Sequence, residues 1–350
     1  MEAQTVERGR TSSIGASGRV AAAVAGLCLL ANPAAGQQVP VPLDEPAALF
    51  EVEVDLVMLN IAVTDQRGRY IRDLTPEHFR ITEDGIQQSI ASFGEGNEAP
   101  RRITRTGFRP AQGTPEADTR LALPDAIAGQ IVGTNVFVLF DTSNFMYRSL
   151  VYAEDAIADF IRGLDQADSV AVYSFSRNLT RHAALSDEHD DALRGLRRSV
   201  AGDETALYNC LLLTLRDAAR VSGRKVIIVF SNGPDNASAV SPDDVGAIAE
   251  DEGVPIYVIS TRELNRDPIS SNAFRRITQR TGGKAYFAKT WQRQSEAFVE
   301  IREELASSYT LTYYPQPNPN RGWRSIQVEL TSPDQRRLRI RTRAGYRPKL

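Results

Sequence analysis

One stretch constrains this chain more than any other: Asn135-Val-Phe-Val-Leu-Phe-Asp141-Thr-Ser143-Asn-Phe145. Five successive apolar residues read as a strand buried on both faces, the habit of a parallel sheet. Such a strand hands polar side chains to the loop at its carboxyl end, where open α/β sheets bind their ligands. Two later segments open in the same way. Lys225 to Phe230 runs into Ser231-Asn232-Gly233-Pro-Asp235, and Gly202-Asp-Glu-Thr205 precedes a helical run from Ala206 to Arg220. Three loops should therefore meet at one crevice.

Around these loops, strand and helix patterns alternate from Ile131 onward. Helices are expected over Ser149 to Leu164, Asp187 to Val200, Ala206 to Arg220, Pro242 to Glu252, Ser270 to Thr281 and Gln294 to Ser308. Strands are expected at Ser169 to Ser176, Lys225 to Ser231, Pro255 to Ser260 and Lys284 to Phe287. This alternation predicts an α/β fold: a doubly wound, mostly parallel sheet with helices on both faces.

The crevice residues resemble the von Willebrand factor A (vWA) family. Its metal-ion-dependent adhesion site draws on Asp-x-Ser-x-Ser after the first strand, a Thr before a later helix and an Asp after the fourth strand. Asp141, Ser143 and Thr205 match that pattern, whereas Phe145 stands in place of the second Ser and Asn232 in place of the second Asp. The resemblance implies a degenerate metal site built from Asp141, Ser143, Thr205 and Asn232. Any ion there would be Mg²⁺ or another divalent cation. Asn144, Phe145, Met146, Tyr147, Asp203, Glu204 and Asp235 are the candidate ligand-binding rim, with Phe145, Met146 and Tyr147 as an apolar patch. Asp235, Asp203 or Glu204 are the acids that could replace the missing carboxylate.

The flanks are β-rich. Phe50 to Thr64 alternates, with a change of parity near Met58 that suggests a bend. Thr75-Pro76 reads as the capped start of a single helical turn, Phe79 to Thr82 as a strand, and Asp84-Gly85 as a tight hairpin into Ile86 to Phe93. The run Leu74-Thr-Pro-Glu-His-Phe-Arg-Ile-Thr-Glu-Asp-Gly85 resembles the lead-in of secreted vWA-related proteins of the acidobacterial type. Past Ser308, strands are expected at Tyr309 to Tyr314, Trp323 to Leu330 and Leu338 to Thr342. Arg337, Arg339, Arg341 and Arg343 share one face of the last, which reads as a solvated edge that resists aggregation. The two flanks should form one small sandwich-like domain, burying Phe50, Val52, Val54, Trp323, Ile326 and Val328, because each alone is too short for a stable core.

The expected organisation is thus a signal peptide over 1–36, a tether over 37–47, an N-terminal β-rich segment over 48–94 and a linker over 95–130. A vWA-like domain follows over 131–308, and the C-terminal β segment, 309–350, pairs with the N-terminal one. The signal reading rests on Arg8, Arg10 and Arg19, the apolar run Val20 to Leu30, and Ala34-Ala35-Gly36. That run is far shorter than the roughly 20 residues of a membrane span, so the mature chain should be secreted or periplasmic with no transmembrane segment.

With 41 basic and 44 acidic residues, the 350-residue chain lacks the charge of a nucleic-acid binder. Removal of the signal takes Cys28 and leaves Cys210 alone, a buried thiol by its apolar helical setting. Only His78, His182 and His189 are available for catalysis; His182 and His189 read as solvated surface, and no nucleophile elbow or phosphate loop is present. No catalytic residue is assigned. The expected function is a secreted binding module for a protein ligand or an assembly partner of the cell envelope. The alternative is a metal-dependent ligand binder, and an enzyme is the third reading.

Overall fold

The computed structural model describes residues 56–103, 133–146, 150–331 and 337–349. The signal, the tether, Phe50, Val52, Val54, Tyr147 and most of the linker lie outside these. Six strands form the central sheet: β6 (Asn135–Asp141), β7 (Ser169–Phe175), β8 (Leu179–Ser186), β9 (Lys225–Ser231), β10 (Ile256–Ser260) and β11 (Ala285–Phe287), in the order β11-β10-β9-β6-β7-β8. All neighbours run parallel except β8, which returns antiparallel against β7. The fold is the expected mostly parallel α/β sheet.

Alternate residues of β6 feed two separate cores, which is why the run had to be apolar throughout. Val136, Val138 and Phe140 pack with helices α1 (Leu150–Arg162), α2 (His189–Leu196) and α6 (Trp291–Ser307). Phe137 and Leu139 pack with α3 (Leu207–Ala219), α4 (Pro242–Asp251) and α5 (Pro268–Thr281). From β6 the chain steps outward to β7 and β8, then crosses back to β9 on the other side and continues to β10 and β11. The switch point therefore lies between β6 and β9, the crevice position in doubly wound sheets.

The flanks pair with each other around a third core. β1 (Val57–Thr64) runs antiparallel to β12 (Tyr309–Tyr313), which also pairs with β4 (Ile90–Glu95), while β13 (Arg324–Leu330) pairs with β2 (Phe79–Glu83). A second β1 partner, β14 (Arg339–Arg341), and the short strands β3 (Ile86–Gln88), β5 (Arg101–Arg102) and β15 (Gly345–Tyr346) complete two sheets, β14-β1-β12-β4-β5 and β15-β13-β2-β3. Val57, Leu59, Ile61, Val63, Leu311 and Ile326 fill the space between them. The hairpin turn forms at Asp84-Gly85, with φ of 49° and 80°; both central residues are left-handed, as a type I′ turn requires. β3 and β4 separate at Ser89 and join different sheets, so Ile86 to Phe93 is not one strand.

Several expectations need correction. Trp323 is exposed rather than in the core, and Val328 is only half-buried. β8 was unanticipated, and α2 is shorter than Asp187 to Val200. Only part of the arginine face is a solvated edge: Arg337 and Arg339 are exposed, but Arg341 and Arg343 turn inward. Arg341 reaches the buried carboxylate of Glu304 on α6, which also accepts from Tyr70 Oη at 2.8 Å and from the Tyr257 hydroxyl. Arg343 is buried, and its guanidinium donates to Glu250 O at the end of α4 at 2.8 Å and to Met58 O at 3.1 Å. These side chains tie the flank sheets to the α/β helices, and cations beside helix carboxyl ends also complement the macrodipole. No helix among the described residues is long and apolar enough to cross a membrane.

Candidate functional site

At the switch point, β6 ends in Asp141 and β9 in Ser231, one step beyond the paired residues Phe140 and Phe230. The Asp141 carboxylate is fully buried. Its Oδ1 accepts from Ser143 N at 2.8 Å and its Oδ2 from Ser231 Oγ at 2.7 Å. Burial pushes its pKa up, against the pull of Ser143, Ser231 and the main-chain N–H of Asn232.

Main-chain and side-chain hydrogen bonds stitch the three loops together. Gly202 N donates to Thr142 O at 2.8 Å and Asn144 N to Asp203 O at 3.1 Å, joining the first loop to the second. Thr205 N donates to Asn236 Oδ1 at 2.9 Å, while Asn236 N donates back to Thr205 O at 3.0 Å, joining the second loop to the third. Asn232 Nδ2 donates to Phe145 O at 2.6 Å, which closes the ring. Gly233 adopts φ of 111°, and a Cβ there would lie 2.9 Å from Ser270 Cβ, so only glycine fits.

Within this frame three buried oxygens have no hydrogen-bond partner: Ser143 Oγ, Thr205 Oγ1 and Asn232 Oδ1. The Ser143 hydroxyl helps to lower the Asp141 pKa without making a well-formed hydrogen bond. Buried polar atoms are nearly always satisfied, so three orphans on three loops beside one carboxylate need an explanation. Among the described residues no group of three or more His, Cys, Asp and Glu side chains could hold a metal. A cation would have to use hydroxyl and amide oxygens. One carboxylate with three neutral oxygens is a donor set suited to a hard cation, so the residues present fit one.

The rim differs from expectation. Phe145 is 44% exposed and projects a ring beside the crevice, but Met146 is only 1% exposed and belongs to the core, where Thr261 Oγ1 meets its sulfur at 3.6 Å. Asp235 does not stand in for the missing acid. Its oxygens accept from Tyr208 N in the first turn of α3 at 3.0 Å, from Ser238 N at 2.9 Å and from Ser238 Oγ at 2.7 Å. Glu204 pairs with Arg177 at 3.0 Å. Asp203 is exposed and contributes its carbonyl to Asn144. Ser231 and Asn236 were not anticipated. A serine at the last position of an apolar strand was the available signal for the first; nothing local marks the second.

The remaining chemistry-bearing residues are structural. His182 is half-buried rather than solvated, with Nε2 at 2.7 Å from Ser174 Oγ and its pKa lowered by burial. His189 Nε2 meets Asp168 O at 2.9 Å. Cys210 is buried, and burial pushes its thiol up to about 12.

None of the curated proteins matches the chain. Among solved structures, the conserved hypothetical protein BatB from Bacteroides thetaiotaomicron is 17% identical over 50% of this chain and 100% of its own, with a TM-score of 0.42. Proximal thread matrix protein 1 from the mussel byssus, with a zinc-occupied MIDAS motif, is 16% identical over 53% of this chain and 48% of its own, with a TM-score of 0.43. The vWF domain of the type V pili tip protein Mfa5 from Porphyromonas gingivalis is 12% identical over 49% of this chain and 95% of its own, with a TM-score of 0.42. Residues 135–300, from the first strand of the central sheet into its last helix, match the von Willebrand factor type A domain.

Proposed function

We propose that the chain is an exported vWA binding module, of the acidobacterial type, that takes a protein ligand or envelope assembly partner at the carboxyl edge of its central sheet. The observation that carries this reading is the crevice itself, where three buried oxygens stay unpartnered beside the Asp141 carboxylate. A site that served only to hold the loops together would have closed these atoms on one another.

The surface around it supports a partner of protein character. Helices of a doubly wound sheet start at its carboxyl edge, and the first turns of α1 and α5 there present Val151, Tyr152 and Ile269, the last 85% exposed. With Phe145 they give the crevice face an apolar character of the kind found at interface centres. As a divalent site the crevice is degenerate, because it holds a single carboxylate. Asp141, Ser143, Thr205 and Asn232 are the residues that would hold an ion. A bound ion would supply positive charge toward an acidic group of the partner.

Binding rather than catalysis is part of the proposal. Ser174 and His182 come nearest to a nucleophile and base, but Ser174 is buried and its strand is paired on both sides, with Phe140 and Thr180. That leaves no free main-chain donor beside it to stabilise an oxyanion. The test is capture from envelope extract by the mature protein, with Phe145→Asp as the control. A partner retained equally by both proteins would rule out the crevice face.

A further inference from the structure

The charge of the crevice decides which cation it can take. Asp141 is the one carboxylate among the buried donors: Asp235 is consumed by the turn of α3 and Glu204 by Arg177, while Asp203 is exposed and meets the first loop through its carbonyl. Asn232 is neutral, and its orientation is fixed: with Nδ2 spent on Phe145 O, the amide oxygen is the end left unpartnered. The assembled donor set is one carboxylate and three neutral oxygens, with a net charge of minus one. All four side chains are buried, Asn232 at 4% exposure being the least so.

Burial makes the net charge of the filled site matter. A monovalent cation leaves the site neutral. A divalent cation leaves an uncompensated positive charge in a poorly solvated setting, which carries a heavy desolvation penalty, and Mg²⁺ in addition sheds its water reluctantly. Building on the cation-site reading above, we propose that the free protein binds an alkali cation, Na⁺ or K⁺, through Asp141, Ser143, Thr205 and Asn232. A divalent ion enters only with a second carboxylate.

The experiment uses the full mature protein exchanged into tetramethylammonium chloride, whose cation is too bulky for a buried oxygen site. NaCl, KCl or MgCl₂ is then added at constant ionic strength, and melting temperature and ²³Na NMR line width are recorded. The expected result is a saturable rise in melting temperature with Na⁺ or K⁺, a smaller one with Mg²⁺, and ²³Na broadening that the preferred alkali ion displaces. Ser143→Ala and Thr205→Val should each abolish the alkali response while the far-UV circular dichroism stays native. In Asn232→Asp the order should reverse, with the ratio of Mg²⁺ to alkali affinity rising roughly tenfold or more. A larger response to Mg²⁺ than to either alkali ion in the unaltered protein would overturn this inference and leave the cation-site reading standing. No response to any cation would overturn both. An alkali response that survives both Ser143→Ala and Thr205→Val would place the ion elsewhere and also refute the assignment.

Discussion

Ser231 Oγ donates to Asp141 Oδ2 at 2.7 Å, from the last residue of one parallel strand to the last residue of its neighbour. The bond joins the two strands at the switch point and supports a carboxylate that solvent does not reach. Removing it by Ser231→Ala leaves a buried charge short of one donor, which should cost about 1–3 kcal/mol at neutral pH. The folded pKa of Asp141 is raised, so the fold holds this proton more tightly than the unfolded chain. Its contribution to stability is therefore most favourable at pH below the unfolded pKa and declines as pH rises through the folded pKa. Ser231→Ala should raise the folded pKa further. Urea denaturation should show a larger deficit at about pH 7 than at about pH 4; equal deficits would mean that the hydroxyl does not support the charge.

A second prediction concerns the flanks. Glu304 is buried on α6 and is held by Tyr70, Tyr257 and Arg341, the first and last of which belong to the flanking segments. Truncating one partner of a buried ion pair leaves the other charge uncompensated, so Arg341→Met should cost about 3–5 kcal/mol. Adding Glu304→Gln, which removes the charge but keeps an oxygen to accept from a tyrosine hydroxyl, should recover part of that loss. Guanidinium melts of the single and double variants check this, and a double variant no more stable than Arg341→Met would argue against a charge penalty.

Asp84 offers a test at acid pH. It sits at φ of 49° in the hairpin turn and accepts from Asn318 Nδ2, Asn320 Nδ2, Ser325 N and Ser325 Oγ at 2.8–3.0 Å. Its slight burial works the other way, but these donors prevail and bring its pKa from 3.8 down to about 2. A depressed folded pKa stabilises above the unfolded value, and that stability is lost as pH falls through the folded one. Asp84→Asn tolerates the left-handed backbone and should cost no more than about 1 kcal/mol at neutral pH, given the solvent screening. Below the folded pKa the two proteins should melt together. A deficit that persists there would assign the effect to turn geometry.

How much of this was legible in the sequence depends on how local the cause was. The strand Lys225–Ser231 was read to the residue, because an apolar run with polar ends is its own signal. Leu179–Ser186 was missed because Thr-Arg-His-Ala-Ala shows no clean alternation; pairing with β7, not its own pattern, makes it a strand. That three loops meet at one crevice follows from their places at strand ends, whereas the choice of Asp141, Ser143, Thr205 and Asn232 within them rests on the family resemblance. The involvement of Ser231 depends on the register between β6 and β9, and that of Asn236 on a bend that starts directly after the strand's polar loop. Arg341 and Arg343 looked like surface because their partners lie in segments distant along the chain.

The last prediction compares two changes aimed at making the crevice a divalent site. Asn232→Asp places a second carboxylate beside Asp141, and full charges in a partly desolvated crevice attract a dication more than a neutral hydroxyl does. Phe145→Ser adds a hydroxyl, but the Phe145 ring is 44% exposed and the residue's tie to the crevice is its main-chain carbonyl, which the change retains. Asn232→Asp should therefore gain more Mg²⁺ affinity than Phe145→Ser. It should also cost more in the absence of metal. The amide that donates to Phe145 O is lost, and an acid then faces both that carbonyl and Asp141, which raises one carboxyl pKa by like-charge repulsion. Phe145→Ser, at a half-exposed position, should stay within about 0.5 kcal/mol of the parent. In chelator, melting of Asn232→Asp should fall below that of the parent, and Mg²⁺ should restore it, while the parent responds little to either. Calorimetric titration with Mg²⁺ ranks the affinities directly, and a greater gain from Phe145→Ser would show that a missing ligand, not missing charge, limits the site.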